Sequence, residues 1–405
     1  MAKAAVMGYG TVGSGVVNVL VTNADIVAKK AGEPIEVKYI LDIRKFPGDP
    51  MEDRIIDDFA VIENDPEISV VAEVMGGTGV AYEFTKRALM AGKSVCTSNK
   101  ALVAEYGTEL CAIAEESGVS YLYEASCGGG IPIIRPLRNA LTADKILSIG
   151  GIFNGTTNYI LTKMEKEGLG YAEVLKMAQD MGYAERDPSA DVDGWDTCRK
   201  LAILGSIAYD TQISYKDIRT EGISAIDAAD IRYAEMIGKR IKLLAVSRNT
   251  DEGIYAVVIT AMISVSSPLY AVDDVFNAVL VNGNMLGDVM FYGQGAGKDA
   301  TGSAVVSDIV DVVAHQGKCG AAPAHEKCVL LDADGMTYRF FGRVKADAEE
   351  TRAAVNAAFG EACVISSDDL PGESAFVTDA MTEAEFKVKA EKVPGLIKFI
   401  RILIE

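Results

Sequence analysis

The sequence predicts an α/β chain: a doubly wound parallel sheet at the N-terminus, an α+β region after it, and a smaller unit at the C-terminus. Three observations predict it. Short apolar runs alternate with helical patterns from residue 4 onward, which is the grammar of βαβ units. Gly8-Tyr9-Gly10-Thr11-Val12-Gly13 stands between the first apolar run and the first helical pattern. After residue 325 the pattern changes to strand, helix, strand, strand, helix, strand, the ferredoxin-like order. At 405 residues the chain has room for two or three domains.

The elements follow in order. Strands are expected at 4–7, 35–41, 70–75, 94–97 and 120–123, with helices at 13–21, 82–91 and 101–117 between them. The first domain therefore spans 1–130. It closes at Cys127-Gly128-Gly129-Gly130-Ile131-Pro132, where glycine freedom and a fixed proline φ mark a turn or hinge. Residues 131–320 mix helices at 172–181, 196–208 and 225–239 with strands at 242–246, 255–261 and 278–281, which makes an α+β domain. A helix over 298–315 is expected to pack back on the first domain. The last domain, 325–405, has strands at 338–344, 362–366, 374–378 and 399–404 and helices at 348–359 and 383–392.

Composition excludes several classes of function. Hydrophobic residues at 49% and charged residues at 24% describe a globular chain, neither disordered nor fibrous. Lys and Arg total 39 against 58 Asp and Glu, and the formal charge of −19 repels nucleic acid and anionic membranes. Neither partner is expected. No apolar stretch reaches the ~18 to 20 residues of a bilayer span, and the N-terminus runs into a glycine motif instead of a cleavage site. A cytoplasmic protein is expected. The seven cysteines (96, 111, 127, 198, 319, 328, 363) form no Cys-x-x-Cys pair and read as reduced thiols. With only His315 and His325, acid–base chemistry should fall to Lys, Asp or Glu.

The glycine series has the context that a dinucleotide pyrophosphate requires, a strand before it and a helix after it. Gly8 makes the tight turn, Gly10 admits the phosphates and Gly13 lets the helix pack on the strand. A merely structural turn is the plainer alternative. At the end of the second strand, Asp42 is of the type that holds the ribose 2′-OH of NAD, while Arg44 and Lys45 suit the extra phosphate of NADP. Asp42 lies a little beyond the usual spacing and two cations follow it, which inclines the reading to NADP.

Gly155-Thr156-Thr157-Asn158 precedes a helical run, and its hydroxyls and N–H groups suit a carboxylate or phosphate. N-capping explains it as well. Residues 182–196 place five carboxylates (Glu185, Asp187, Asp191, Asp193, Asp196) among glycines and a proline, a setting for a cationic group. Lys200 follows Asp196 by four residues, on the same helical face. Such a spacing is ordinarily an exposed ion pair, but Leu201-Ala202-Ile203-Leu204 continues the helix as a largely buried one. Thr97-Ser98-Asn99-Lys100 lies at the carboxyl end of a strand, where parallel sheets bind ligands. Lys100 reads either as ligand-facing or as a surface lysine on a capping turn.

Together these segments resemble homoserine dehydrogenase: MGYGTVGSGV, AGKSVCTSNKALVA, YEASCGGGIPIIR, GIFNGTTNYIL, GYAERDPSADVDGWDTCRKLAIL and GQGAGKDATGSAVVSDIV, in that family's order across residues 1–315. The resemblance implies a Rossmann-like NAD(P)-binding domain and a substrate-binding and dimerisation domain. It implies reversible interconversion of L-homoserine and L-aspartate 4-semialdehyde, on the route to threonine and methionine, by a homodimer or homotetramer. It makes Lys200 the proton donor or acceptor, Asp196 its orienting partner and a substrate ligand, and Glu185 and Asp191 the ligands of the ammonium, with Thr156 beside them. Lys100 matches a lysine beside both ligands. Thr11, Val12, Gly76, Gly182 and Gly297 match positions lining the cofactor. The resemblance also implies a structural monovalent cation of the Na+ type at Glu124, Cys127, Gly129 and Ile131; Cys127 replaces a commoner valine there, but its ligand is a backbone carbonyl. The C-terminal domain resembles ACT regulatory domains in element order only. Lys345-Ala346-Asp347 stands where their effector loop has a Pro-Gly turn.

Two rival readings are weaker. An aspartate-semialdehyde dehydrogenase needs an activated cysteine with a histidine base, and no histidine precedes residue 315. A non-catalytic amino-acid sensor with a nucleotide-binding domain has no need of Asp196, Lys200 and Lys100 together. For the dehydrogenase, a lysine with an ordinary pKa near ~10.4 is a ready donor in aldehyde reduction and a poor base in alcohol oxidation. Oxidation should favour high pH.

Overall fold

The computed structural model describes residues 1–315 and 326–404. Cys319, His325 and the expected domain limits at 320 and 325 lie outside the described residues. The rest falls into two compact units, one of residues 1–146, 199–215 and 281–328, the other of 147–198, 216–280 and 329–405.

The first unit is built on six parallel strands: β1 (Ala2–Met7), β2 (Ile35–Leu41), β3 (Ile55–Ile56), β4 (Ile68–Glu73), β5 (Ser94–Thr97) and β6 (Tyr121–Leu122). Their order is β3-β2-β1-β4-β5-β6, the doubly wound arrangement, with the order reversing between β1 and β4. Ala4, Val6, Ile40, Val70 and Ala72 are buried along these strands. Both faces of such a sheet are covered, so its strands read as apolar runs without alternation. Helix Lys298–Ala314 lies against helix Thr11–Thr22 at a crossing of small residues. A Cβ on Gly302 would sit 2.6 Å from the Gly15 carbonyl carbon.

The second unit carries a mixed sheet of β7 (Ile146–Ile152), β8 (Arg219–Thr220), β9 (Lys239–Thr250), β10 (Gly253–Ser264) and β11 (Phe276–Gly283). Strand β12 (Gly287–Gln294) belongs by residue number to the first unit. The expected strands at 242–246 and 255–261 are the middles of one long hairpin, closed where Thr250 faces Gly253. The helix expected over 225–239 covers only Ala228–Met236. Asp227 and Asp230 form a capping box at its start, and Lys239 already pairs in β9.

The C-terminal part adds β13 (Thr337–Val344), β14 (Cys363–Ser366), β15 (Ser374–Val377), β16 (Met381–Thr382) and β17 (Leu396–Ile402), with helices Ala348–Phe359 and Glu383–Ala390. The sheet of this unit runs β11-β7-β9-β10-β17-β13-β15-β14. It is therefore continuous through the parallel pairing of β17 with β10. Phe340 and Phe386 stack at 4.1 Å in its core. Strand β12 and helix Ala24–Ala31 are additions to what the sequence pattern predicts.

Among the described residues no single helix is long and apolar enough to cross a membrane. Cys96, Cys111, Cys127 and Cys198 are buried, and Cys363 is exposed.

Candidate active site

The glycine series shapes the end of β1. Gly8 has φ +99°, and a Cβ on Gly13 would lie 1.9 Å from the Gly8 carbonyl oxygen, so both positions need glycine. Gly10 caps helix Thr11–Thr22 without a side-chain bond, and its first turn holds no acidic residue. The positive end of the helix is thus open to a phosphate. Thr11 is exposed there and Val12 partly buried.

Tyr9 is held at both ends. Its N–H donates to Asp42 Oδ2 at 2.8 Å and its hydroxyl to Asp49 at 3.1 Å, and burial with Asp49 pushes that hydroxyl up to about 12. Asp42 also accepts the Arg44 backbone N–H at 2.9 Å and its guanidinium at 2.9 and 2.7 Å. The Arg44 guanidinium holds the Asp42 carboxyl down at about 2. The two residues expected to discriminate between NAD and NADP are therefore bonded to each other, and Lys45 is exposed beside them.

Gly76, with φ +81°, follows β4 and is exposed. Lys100 is partly buried and opens helix Lys100–Glu116, which Asn99 caps by accepting the Leu102 N–H at 3.1 Å. Gly297 is the N-cap of helix Lys298–Ala314.

Glu124 is buried, and its carboxylate accepts the N–H groups of Ile133, Ile134 and Arg135 at 2.6, 2.9 and 2.7 Å. Its own N–H donates to Asp308 at 2.9 Å, and Asp308 pairs with Arg135 at 2.7 Å. Burial, then the Glu124 charge, pushes the Asp308 carboxyl up to about 7. In the loop that follows, a Cβ on Gly129 would meet the Gly295 carbonyl oxygen at 2.5 Å. Cys127 and Ile131 are buried, and the Cys127 thiol lies 3.9 Å from the Lys200 carbonyl oxygen.

In the second unit one amide gathers the acids. Asn154 Nδ2 donates to Asp191 at 2.7 Å and to Asp196 at 2.9 Å, while its Oδ1 accepts the Thr157 N–H at 2.8 Å. Asn154 thus caps helix Gly155–Glu167 and orients two of the five carboxylates at once. The Thr156 hydroxyl donates to the Tyr183 carbonyl at 2.7 Å, tying down the loop that begins at Gly182. Gly182 and Glu185 are exposed. The N-cap, Asn154, stands one residue before the Gly155-Thr156-Thr157-Asn158 motif. An Asn immediately before a helical run is the available signal for the N-cap, though not for its grip on Asp191 and Asp196.

Helix Trp195–Ala208 carries Asp196 and Lys200 one turn apart, 3% and 8% exposed. Neither side chain belongs to a solvated surface pair. A buried acid and a buried ammonium are residue types suited to orienting a small zwitterion and exchanging one proton with it.

Two family models match the chain: homoserine dehydrogenase over residues 132–310, and the homoserine dehydrogenase NAD binding domain over residues 8–124. The homoserine dehydrogenase of Neisseria gonorrhoeae is 40% identical over 355 residues, 85% of this chain and 81% of its own. That of Bacillus subtilis is 36% identical over 405 residues, 95% of this chain and 93% of its own. The crystal structure of a homoserine dehydrogenase from Thiobacillus denitrificans matches with a TM-score of 0.90 at 33% identity, covering 99% of this chain and 98% of that one. A hyperthermophilic archaeal homoserine dehydrogenase mutant in complex with NADPH matches with a TM-score of 0.65 at 28% identity, covering 76% and 97%.

Proposed function

Because the chain belongs to the homoserine dehydrogenase family, we propose that its NAD(P)-dependent interconversion of L-homoserine and L-aspartate 4-semialdehyde runs on Lys200 as acid–base group. The observation that carries this assignment is the buried Asp196–Lys200 turn, with Asp196 oriented by Asn154.

A bound nicotinamide supplies the hydride acceptor or donor. The protein's own work is to orient the substrate and move a proton. Lys200 takes the proton from the homoserine hydroxyl during oxidation and returns it to the aldehyde oxygen during reduction. Asp196 orients Lys200 and, with Glu185 and Asp191, holds the substrate ammonium. Thr156 lines the same site and fixes the Tyr183 loop. Lys100 lies beside both ligands. The open helix end at Gly10 and the glycine-only contact of Gly8 with Gly13 fit a pyrophosphate. Tyr9, Thr11, Val12, Gly76, Gly182 and Gly297 line the rest of that cofactor. For the ribose, Arg44 and Lys45 favour NADP, and NADPH is the ligand named for the archaeal relative.

A Na+-type ion fits the loop from Glu124 to Ile131 only through backbone carbonyls, because the Glu124 carboxylate is already occupied by three N–H groups. Neutral oxygen donors suit a hard monovalent cation of structural role. Met290 and Tyr292, exposed on one face of β12, support assembly into a homodimer or homotetramer. We place the enzyme in the cytoplasm, in keeping with its net charge of −19.

The test is nicotinamide reduction with L-homoserine, run with NADP and NAD in turn. Turnover specific to homoserine, with the higher kcat/KM for NADP, is the expected result. Absence of turnover with either nicotinamide would remove the proposal, as binding without turnover would favour the amino-acid sensor.

A further inference from the structure

Strands β4 and β5 end side by side, with Glu73 opposite Thr97. Glu73 is wholly buried, where a carboxyl group is costly unless its oxygens find donors. They do. One oxygen accepts the Thr97 hydroxyl at 2.6 Å and the other the Met75 N–H at 2.9 Å. The Thr97 oxygen in turn accepts the Asn99 N–H at 2.9 Å. Asn99 then reaches two ways, donating to the Gly77 carbonyl at 2.6 Å and capping helix Lys100–Glu116 through Leu102.

Two segments therefore converge on one carboxyl group. One is the turn at Met75–Gly77, whose Gly76 and Gly77 hold φ +81° and +72°. The other is the helix start that carries Lys100. An apolar side chain of similar size would fill the space without desolvating an acid, so the distinctive contribution of Glu73 is its pair of acceptors. We propose that Glu73 is a positioning residue for the dehydrogenase reaction, setting the Gly76 turn and Lys100 in register through Thr97 and Asn99. This rests on the reading that Gly76 and Lys100 face the ligands. Glu73, wholly buried, would act only through the groups it bonds.

The test uses the full-length enzyme with homoserine and NADP. Thr97→Val keeps the side-chain shape and removes the relaying hydroxyl, Thr97→Ser restores it, and Glu73→Gln leaves one acceptor where two are needed. A displacement of an ångström at a reacting group can cost up to ~100-fold, so we expect Thr97→Val and Glu73→Gln to lower kcat by about tenfold and raise the nicotinamide KM several-fold. Thr97→Ser should recover wild-type values, and the Tm of Thr97→Val should stay within a few degrees of wild type. Wild-type kcat and nicotinamide KM in Thr97→Val would overturn the proposal. So would a lowered Tm with unchanged kinetics, or loss of folded protein in Thr97→Val, since either makes the triad structural only. Lys100→Met separates the two layers. If it is impaired while Thr97→Val is not, the Glu73 anchor fails alone; if Lys100→Met is itself silent, the reading of Lys100 fails and the anchor with it.

Discussion

The amide nitrogen of Asn154 lies 2.9 Å from Asp196 Oδ2, and the same nitrogen lies 2.7 Å from Asp191. One neutral side chain thereby sets the spacing of two acids proposed to receive an ammonium, and does so from the N-cap of a helix. Cap and site share a residue, so damage to one should be visible in the other.

Asn154→Ala should show both losses. Removing an N-cap costs about 1 kcal/mol, read as a lower Tm. With Asp191 and Asp196 released, the KM for homoserine should rise about tenfold or more while the nicotinamide KM stays near wild type. An unchanged homoserine KM would detach Asn154 from substrate binding.

Arg44→Ala tests the ribose end. The guanidinium is proposed to meet the NADP phosphate and is held ready on Asp42. Its loss should raise the NADP KM roughly tenfold to a hundredfold, the range of a charge-assisted hydrogen bond, and leave NAD little affected because Asp42 is then released toward the ribose hydroxyls. Equal changes for both nicotinamides would contradict that role.

Lys242 offers a prediction in pH. It is 1% exposed on β9, where its ammonium donates to the Val272 carbonyl at 2.6 Å and to Asn158 at 3.1 Å. Burial, helped by Arg240 and opposed by Asp273, pushes it down to about 8. Between that value and the ordinary ~10.4, the unfolded chain holds a proton the folded one has lost, so this residue's contribution to stability rises with pH across that window. The Tm difference between wild type and Lys242→Met should therefore move in favour of wild type from pH 8 to 10. A difference that is flat across that range would show that Lys242 does not titrate there.

The helix crossing in the first unit is a packing test. Gly302→Ala would press a methyl group against the Gly15 backbone at 2.6 Å. Overpacking of this kind costs about 1–3 kcal/mol, so Tm should fall by several degrees, with kinetics preserved in the folded fraction. A wild-type Tm would mean the two helices separate without penalty.

These cases also show how far the sequence carried. The first sheet was legible because apolar runs and glycine turns are local signals: β2 and β5 fall at their expected limits, and the glycine series opens its helix as spacing requires. Asp196 and Lys200 were legible because four-residue spacing on an apolar helix is itself geometry. Strand β12 was harder, since its pattern alternates weakly between half-buried and exposed positions. Glu73 and Asn154 were not legible as site-builders. Their partners are set by which strands adjoin and by how loops fold back over 37 or 42 residues of chain, and no local pattern encodes that.

The proposed proton transfer rests on Lys200. The measurement that tests it most directly is kcat for homoserine oxidation in Lys200→Ala against wild type, with the nicotinamide KM taken alongside. A fall in kcat on the order of 10² to 10⁴ with little change in that KM is predicted for the loss of the proton-transfer group. Turnover near that of wild type would contradict it.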